Sequence, residues 1–303
     1  MRTAALLIVL ALPCLLAAQP PEATSLFGKP LVSTPPTGET KARLEANLAG
    51  AQADYDRDRT NADAAIWLGR RLAYLGRYRD AIDIFSRGIQ EHPNESRLYR
   101  HRGHRYITIR KFDLAIADLR KASQLVAGKA DEVEPDGAPN AAGVPRSTLQ
   151  SNIWYHLGLA QYLTGNFTDA LGSYREGMKV SRVNDDMLVA TSDWLYMTLR
   201  RLRRDGEARQ VLEPIAERMD ILENGAYHAR LLMYKGLRTP DSVLNLNAAD
   251  DVQIATQGYG VGNWYLVNGD LGKARAIFDR VVAGKAWTAF GFIAAEADLK
   301  RGV

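Results

Sequence analysis

Along most of this chain apolar residues recur at the three- and four-residue spacing of amphipathic helices, and no stretch of any length alternates in the two-residue rhythm of a strand. The segment "TKARLEANLAGAQADYDRD" sets Leu44, Leu48, Ala51 and Tyr55 on one stripe, predicting an N-terminal capping helix over residues 41–58. Three later stretches share one order of residues: "WLGRRLAYLGRYRDAIDIFSRGIQEHP" from Trp67, "YRHRGHRYITIRKFDLAIADL" from Tyr99 and "WYHLGLAQYLTGNFTDALGSYREG" from Trp154. Gly69, Gly103 and Gly158 align, as do Tyr78, Phe112 and Phe167, then Ala81, Ala115 and Ala170, and finally Phe85, Leu119 and Tyr174. Ala115 follows Ala81 by 34 residues, and Ala170 follows Ala115 by 55, the same interval enlarged by an insertion of 21.

Each repeat reads as two antiparallel helices. The small Gly and Ala positions let the pair and its neighbours approach, Gly76 and Gly165 permit the tight turn between helices, and Pro93 ends the first unit because a helix cannot run through it. Units are expected at 62–95, 96–129 and 151–184. A fourth, at 189–222, is carried by Leu195, Leu199, Ala208 and Leu212; a degenerate fifth lies at 224–246, and a sixth at 255–288 restores Gly262, Gly269, Ala274 and Phe278. A last helix from Trp287 to Lys300 presents Ala294 and Ala297 as a capping face. The insertion at 130–150, "ADEVEPDGAPNAAGVPRSTLQ", holds an Asp-Gly pair and three prolines and is expected to be a loop that folds over its neighbours as a lid.

A 34-residue period with this pattern resembles the tetratricopeptide repeat family over most of residues 62–300. The resemblance implies an all-α fold, an α-α superhelical solenoid of tetratricopeptide-like helix pairs, with about five to six units plus terminal capping helices. Arg102 departs from the pattern, standing where the other units have Leu68 and Leu157. A stem that snorkels toward water is the expected arrangement there, with pairing to a carboxylate as the alternative.

The resemblance also implies that the first helix of each unit lines a concave face. Carried over position by position, that face holds Arg70, Arg97, Arg100, His101, His104, Tyr155, His156, Asp193 and Trp194 as ligand-binding candidates, with His228 further along. Arginine offers paired hydrogen bonds to carboxylates and the aromatics offer flat apolar area, so the expected function is a non-catalytic scaffold. Its basic, His/Tyr-lined groove would hold an extended peptide or a carboxylate-bearing ligand, and its partner would be an acidic protein or peptide. Some members of the family grip a terminal carboxylate with lysine and asparagine; arginine, histidine and tyrosine stand at those positions here.

Two other chemistries start from the same residues. His101 and His104 are three apart on a helix and could share a metal ion with His156 or Asp136, although Arg100, Arg102 and Arg105 would repel a cation. His104 could act as a general base oriented by Glu132 or Asp136, but no nucleophile elbow, phosphate loop, metalloprotease pair or dinucleotide fingerprint accompanies it. No catalytic residue, metal or cofactor is therefore assigned.

Composition narrows the setting. With 303 residues and 46% hydrophobic content the chain is a folded protein. Thirty-nine basic residues against 35 acidic ones is too slight an excess for a dedicated nucleic-acid binder. The first 18 residues, "MRTAALLIVLALPCLLAA", have the layout of a secretory signal, with cleavage expected near Ala18. An exported protein, periplasmic or extracellular, follows, with no transmembrane segment in the mature chain. Cys14 lies inside the signal, and bulky Leu12 and Pro13 before it disfavour a lipid anchor. Residues 19–40 hold five prolines and are expected to form an extended leader.

Overall fold

The computed structural model describes residues 20–137, 139–247 and 250–303, so the signal segment, Cys14 and the cleavage point lie outside the described residues. The fold is an all-α superhelical array. Helix α1 (Gly38–Arg57) buries Leu44, Ala51 and Tyr55 and is followed by the pairs α2 (Ala62–Tyr74) with α3 (Tyr78–Glu91), α4 (Ser96–Thr108) with α5 (Phe112–Val126), and α6 (Leu149–Leu163) with α7 (Phe167–Val180). Then come α8 (Asp185–Arg201) with α9 (Asp205–Val211), α10 (Gly225–Tyr234) with the single-turn α11 (Pro240–Val243), α12 (Asp251–Val267) with α13 (Leu271–Val282), and a lone α14 (Phe290–Lys300). Among the described helices, none is long and apolar enough to cross a membrane.

The repeated residues explain the pairing. A Cβ at Gly158 would stand 2.7 Å from the Tyr174 ring, one at Gly103 2.8 Å from Leu119 and one at Gly262 2.5 Å from Phe278, and Gly69 meets Phe85 in the same way. A large side chain of each second helix thus presses onto bare backbone of the first, and Ala81, Ala115, Ala170 and Ala274 are fully buried beside it. Helix starts are fixed by side-chain caps: Asn61 accepts from the Ala64 amide and Asn184 from that of Met187, while Thr148 and Ser151 close a reciprocal box.

Between the two helices of a pair the chain passes through a left-handed residue. Glycine fills that place at Gly76, Gly165, Gly236 and Gly269, whereas Arg110 (φ 63°) and Arg203 (φ 57°) fill it in the second and fourth pairs. A left-handed residue with a side chain costs roughly 1–2 kcal/mol. At Arg110 that cost is offset by contacts described below.

Arg102 does not snorkel. Its Nε and Nη2 each donate at 2.7 Å to the two oxygens of Asp118, and Nη1 donates to Ser86 Oγ at 3.0 Å. Asp118 is buried on α5, so a charge in the apolar position is met by a matching charge from the helix packed against it. The segment expected to be an extended leader also differs. Residues Ala23–Thr24 (β1) and Pro30–Leu31 (β2) form a small antiparallel hairpin, Ala23 is buried in the main core, and the Glu22 carboxylate accepts from the Arg79 amide. Packing against the first pair and α14 gives this proline-rich stretch a fixed place.

The array curls until its last helix meets its first units. Trp287, just before α14, packs edge-on against Tyr78 and donates its indole N–H to the Val32 carbonyl at 2.9 Å. Arg110 donates through Nε to Glu296 of α14 at 2.9 Å, to the Trp287 carbonyl at 2.8 Å and to the Thr108 carbonyl at 2.6 Å. The second oxygen of Glu296 accepts from the Leu26 amide at 2.8 Å. Further along, Asp298 accepts from Arg201 and from the Tyr259 hydroxyl, and that hydroxyl oxygen lies 2.7 Å from the Tyr162 hydroxyl. Helix α14 therefore packs on α12 and α13, reaches back to α6, and is tied to α8 through the Asp298–Arg201 pair.

Candidate functional site

Closure redistributes the residues expected on a concave face. Tyr155, Asp193 and Trp194 are core residues: Trp194 donates its indole N–H to the Tyr155 hydroxyl at 2.8 Å, that hydroxyl shares a 2.8 Å hydrogen bond with Tyr227, and Trp194 stacks on Tyr259. Asp193 is paired with Arg230 inside the same core, Nε donating at 3.0 Å. The inward side of α6 and α8 is interior because the array turns tightly enough to pack on itself. Arg97 lies apart at the start of α4, held by Glu95 at 2.8 Å and by Asp63 at 2.7 Å. His228 bonds the Ala216 carbonyl and also stands away from the others.

The remaining candidates come together. Arg70 from α2 and Arg100, His101 and His104 from α4 line a cavity of about 130 Å³, completed by Tyr74, Phe85, Arg105 and Glu134. Helical spacing does this on α4: residues 100, 101, 104 and 105 fall within one turn and a half and share the face turned toward α2. His156 from α6 packs behind the cavity, its ring 4.3 Å from that of His104, and Phe290 of α14 covers His104 at 5.4 Å.

The inserted loop forms one wall. The Glu134 carboxylate stands 3.0 Å from Arg100 Nε and 3.8 Å from His101 Nε2, and it accepts from the Asn152 amide at 3.1 Å. Arg70 donates to the Pro135 carbonyl at 2.7 Å and Arg71 to the Gly137 carbonyl at 2.8 Å. The carboxylate that the basic face was expected to take from a ligand is, at Arg100, provided by the chain itself.

Partners fix the histidine tautomers. Arg100 can only donate, so its 3.1 Å contact makes His101 Nδ1 an acceptor and leaves the proton on Nε2, facing Glu134. His156 donates from Nδ1 to the Asn152 carbonyl at 2.6 Å. Burial, and then the neighbouring arginines, hold the pKa of His101 and of His156 well below the ordinary 6.5; His104 is lowered in the same way by burial and then by Arg105. All three are neutral at neutral pH and add no positive charge to the cavity.

Neither alternative chemistry assembles. Among the described residues no group of three or more His, Cys, Asp or Glu side chains converges as metal ligands would. No loop carboxylate is hydrogen-bonded to His104; Glu134, rather than Glu132 or Asp136, reaches the cavity, and it serves Arg100. Arg105 and Glu134 are the site residues that sequence reasoning missed. Arg105 was visible as the helical neighbour of His101, four residues on, whereas Glu134 is one of four acids in "DEVEPD", with no periodicity to single it out.

A second concavity is open. Helices α1 and α2 flank a groove of about 750 Å³ lined by residues that include Asp54, Arg57, Asp58, Asp63, Trp67 and Arg71. The guanidinium carbons of Arg70 and Arg71 lie 4.4 and 4.9 Å from the centre of the partly buried Trp67 ring, Arg71 on the groove side.

No protein-family profile matches the chain, and no curated protein matches it. Among solved structures, YrrB, described as a TPR protein with an unusual peptide-binding site, superposes with a TM-score of 0.45 at 13% identity, covering 78% of this chain and 92% of its own. A crystal structure of MamA gives 0.45 at 14% identity over 66% and 94%, and a form of MamA AMB-1 gives 0.43 at 18% over 58% and 89%. The reading of the site rests on this chain's own residues.

Proposed function

We propose that the protein is a non-catalytic binding scaffold of the cell envelope that holds a segment of a partner protein in the open groove between α1 and α2. The observation that supports this is Trp67, partly buried on the groove wall with the Arg71 guanidinium 4.9 Å from its ring centre. Tryptophan and arginine dominate the binding energy of protein interfaces, because a rigid aromatic surface and a forked donor lose little freedom on binding. Helix α14 closes against α6 and the inserted loop covers α2 and α4, while the groove at the α1 end stays open for a partner. Asp54, Asp58 and Asp63 share the groove with Arg57 and Arg71, so this reading assigns the partner both charges rather than an acidic character.

Capture from an envelope extract by the mature chain, wild type beside Trp67→Ala/Arg71→Ala, tests the groove. Species lost from a variant with unchanged circular dichroism support it, and identical capture sinks it. Placement in the envelope rests on residues 1–18; recovery of the full-length chain in the cytoplasmic fraction, uncleaved, would remove that part.

A further inference from the structure

The cavity under the inserted loop has more positive charge than the chain neutralises. Arg70, Arg100 and Arg105 line it, and Glu134 is the only carboxylate among the lining residues. Arg70 and Arg100 are each less than a tenth exposed. Asp136 stands near Arg70 but outside the lining, and its own carboxyl is pushed up by burial. The three histidines around the cavity add no charge at neutral pH, as argued above.

Arg105 is the exceptional member. Arg70 bonds the loop backbone and Arg100 faces Glu134, but among the described residues no carboxylate lies within ion-pair distance of Arg105 and no acceptor takes its N–H groups; the Tyr78 ring lies 5.6 Å from its guanidinium carbon. Burial and the like charges of Arg100 and Arg70 push its pKa down to about 10. A guanidinium so placed lacks an anion. The space beside it, about 130 Å³, exceeds the roughly 10–15 Å³ that one water needs by an order of magnitude, yet is too small for a peptide or a nucleotide.

We propose that this cavity binds a small tetrahedral oxyanion of the phosphate and sulfate class, with Arg105 as its principal contact and Arg70 and His104 as further donors. Donors reach the cavity from two helices and from different sides, which suits an anion with oxygens in all directions better than the single planar edge of a carboxylate. A charge of −1 to −2 matches the excess left after Glu134. The site is separate from the Trp67 groove and does not depend on that reading.

The test is equilibrium dialysis of the mature chain against radiolabelled inorganic phosphate, with sulfate and acetate as competitors at constant ionic strength. The expected result is saturable binding of one phosphate per chain, displaced by sulfate and poorly by acetate, and at least about tenfold weaker in Arg105→Gln. Without phosphate that variant should be about as heat-stable as wild type, since it removes a half-buried cation that no carboxylate pairs. Glu134→Gln probes the cavity in the opposite sense: removing its one carboxylate should tighten phosphate binding several-fold, and it reports even if Arg105→Gln does not fold. Phosphate uptake no greater than that of chloride, saturable binding unchanged by Arg105→Gln, or weaker binding in a folded Glu134→Gln would each overturn the proposal. Acetate competing as well as sulfate would overturn the tetrahedral assignment.

Discussion

Arg110 and Glu296 stand 186 positions apart in sequence and meet as a hydrogen-bonded ion pair at 2.9 Å, each side chain 2% exposed. The left-handed turn that holds Arg110 aims its side chain across the array, and Glu296 joins that turn to the N-terminal hairpin through the Leu26 amide.

Glu296→Ala leaves the Arg110 guanidinium buried without its carboxylate. A loss of about 3–5 kcal/mol is expected in urea unfolding, because the remaining charge keeps its desolvation cost. The double change Arg110→Gly/Glu296→Leu removes both charges and the unfavourable backbone geometry, and should recover most of that loss. A loss below about 1 kcal/mol for Glu296→Ala would show that the pair does not hold the closure.

Glycines at different places respond with opposite sign. Gly158→Ala drives a methyl group into the Tyr174 ring and should destabilise by about 1–3 kcal/mol. Gly172, exposed on α7 with open space where its Cβ would be, should gain about 0.5–1 kcal/mol on the same change. Thermal unfolding of both variants checks the contrast, and equal shifts would refute the helix-contact explanation of the repeat.

Acid should weaken the fold through its shielded histidines, in the same range in which burial brings the Asp193 carboxyl to about 6. The folded chain holds His101, His104 and His156 below 6.5, so below that pH the unfolded chain binds more protons. The contribution is intact above pH 6.5 and falls as the pH drops. Between pH 6.5 and 5.5 each fully shielded histidine costs about 1 kcal/mol, less for the partly exposed His104. Urea midpoints measured at the two pH values should differ, and the difference should shrink in His156→Gln. A flat profile would mean that the cluster is hydrated.

Gly137 lies flush on Tyr74, and a Cβ there would come within 2.7 Å of the ring. Gly137→Ala should lift the loop from Arg70 and Arg71, exposing residues 131–137 to protease with little change in the global unfolding midpoint. Unaltered cleavage would show that the loop is held elsewhere, for example by Glu134.

The helix pairs were legible because their determinants are local: Gly69, Gly103 and Gly158 recur at fixed distance from Phe85, Leu119 and Tyr174, and the spacing is itself the contact. Curvature was not legible. It accumulates over six pairs, and only its sum decides whether α14 meets α6, so Tyr155 and Trp194 could be assigned to an inner face without any sign that this face is core. Arg102 shows the same limit at the scale of one side chain, since its partner Asp118 lies 16 residues on and on another helix. Arg110 occupies a position that the other pairs give mostly to glycine, and nothing local in "ITIRKF" marks it as the reach toward the far end.

Closure also changes what kind of repeat protein this is. In an open array each unit touches only its neighbours, so units can be added or removed at modest cost and folding can begin anywhere. Here the two ends are joined through Arg110, Glu296, Trp287 and the hairpin, so the number of units is fixed by geometry. A chain with one 34-residue unit more or fewer would miss its own last helix, and evolution by unit duplication is closed to it unless the clasp is lost first. For the same reason its melting should be a single cooperative event with the ends as its most interdependent part, rather than a fraying from the termini inward.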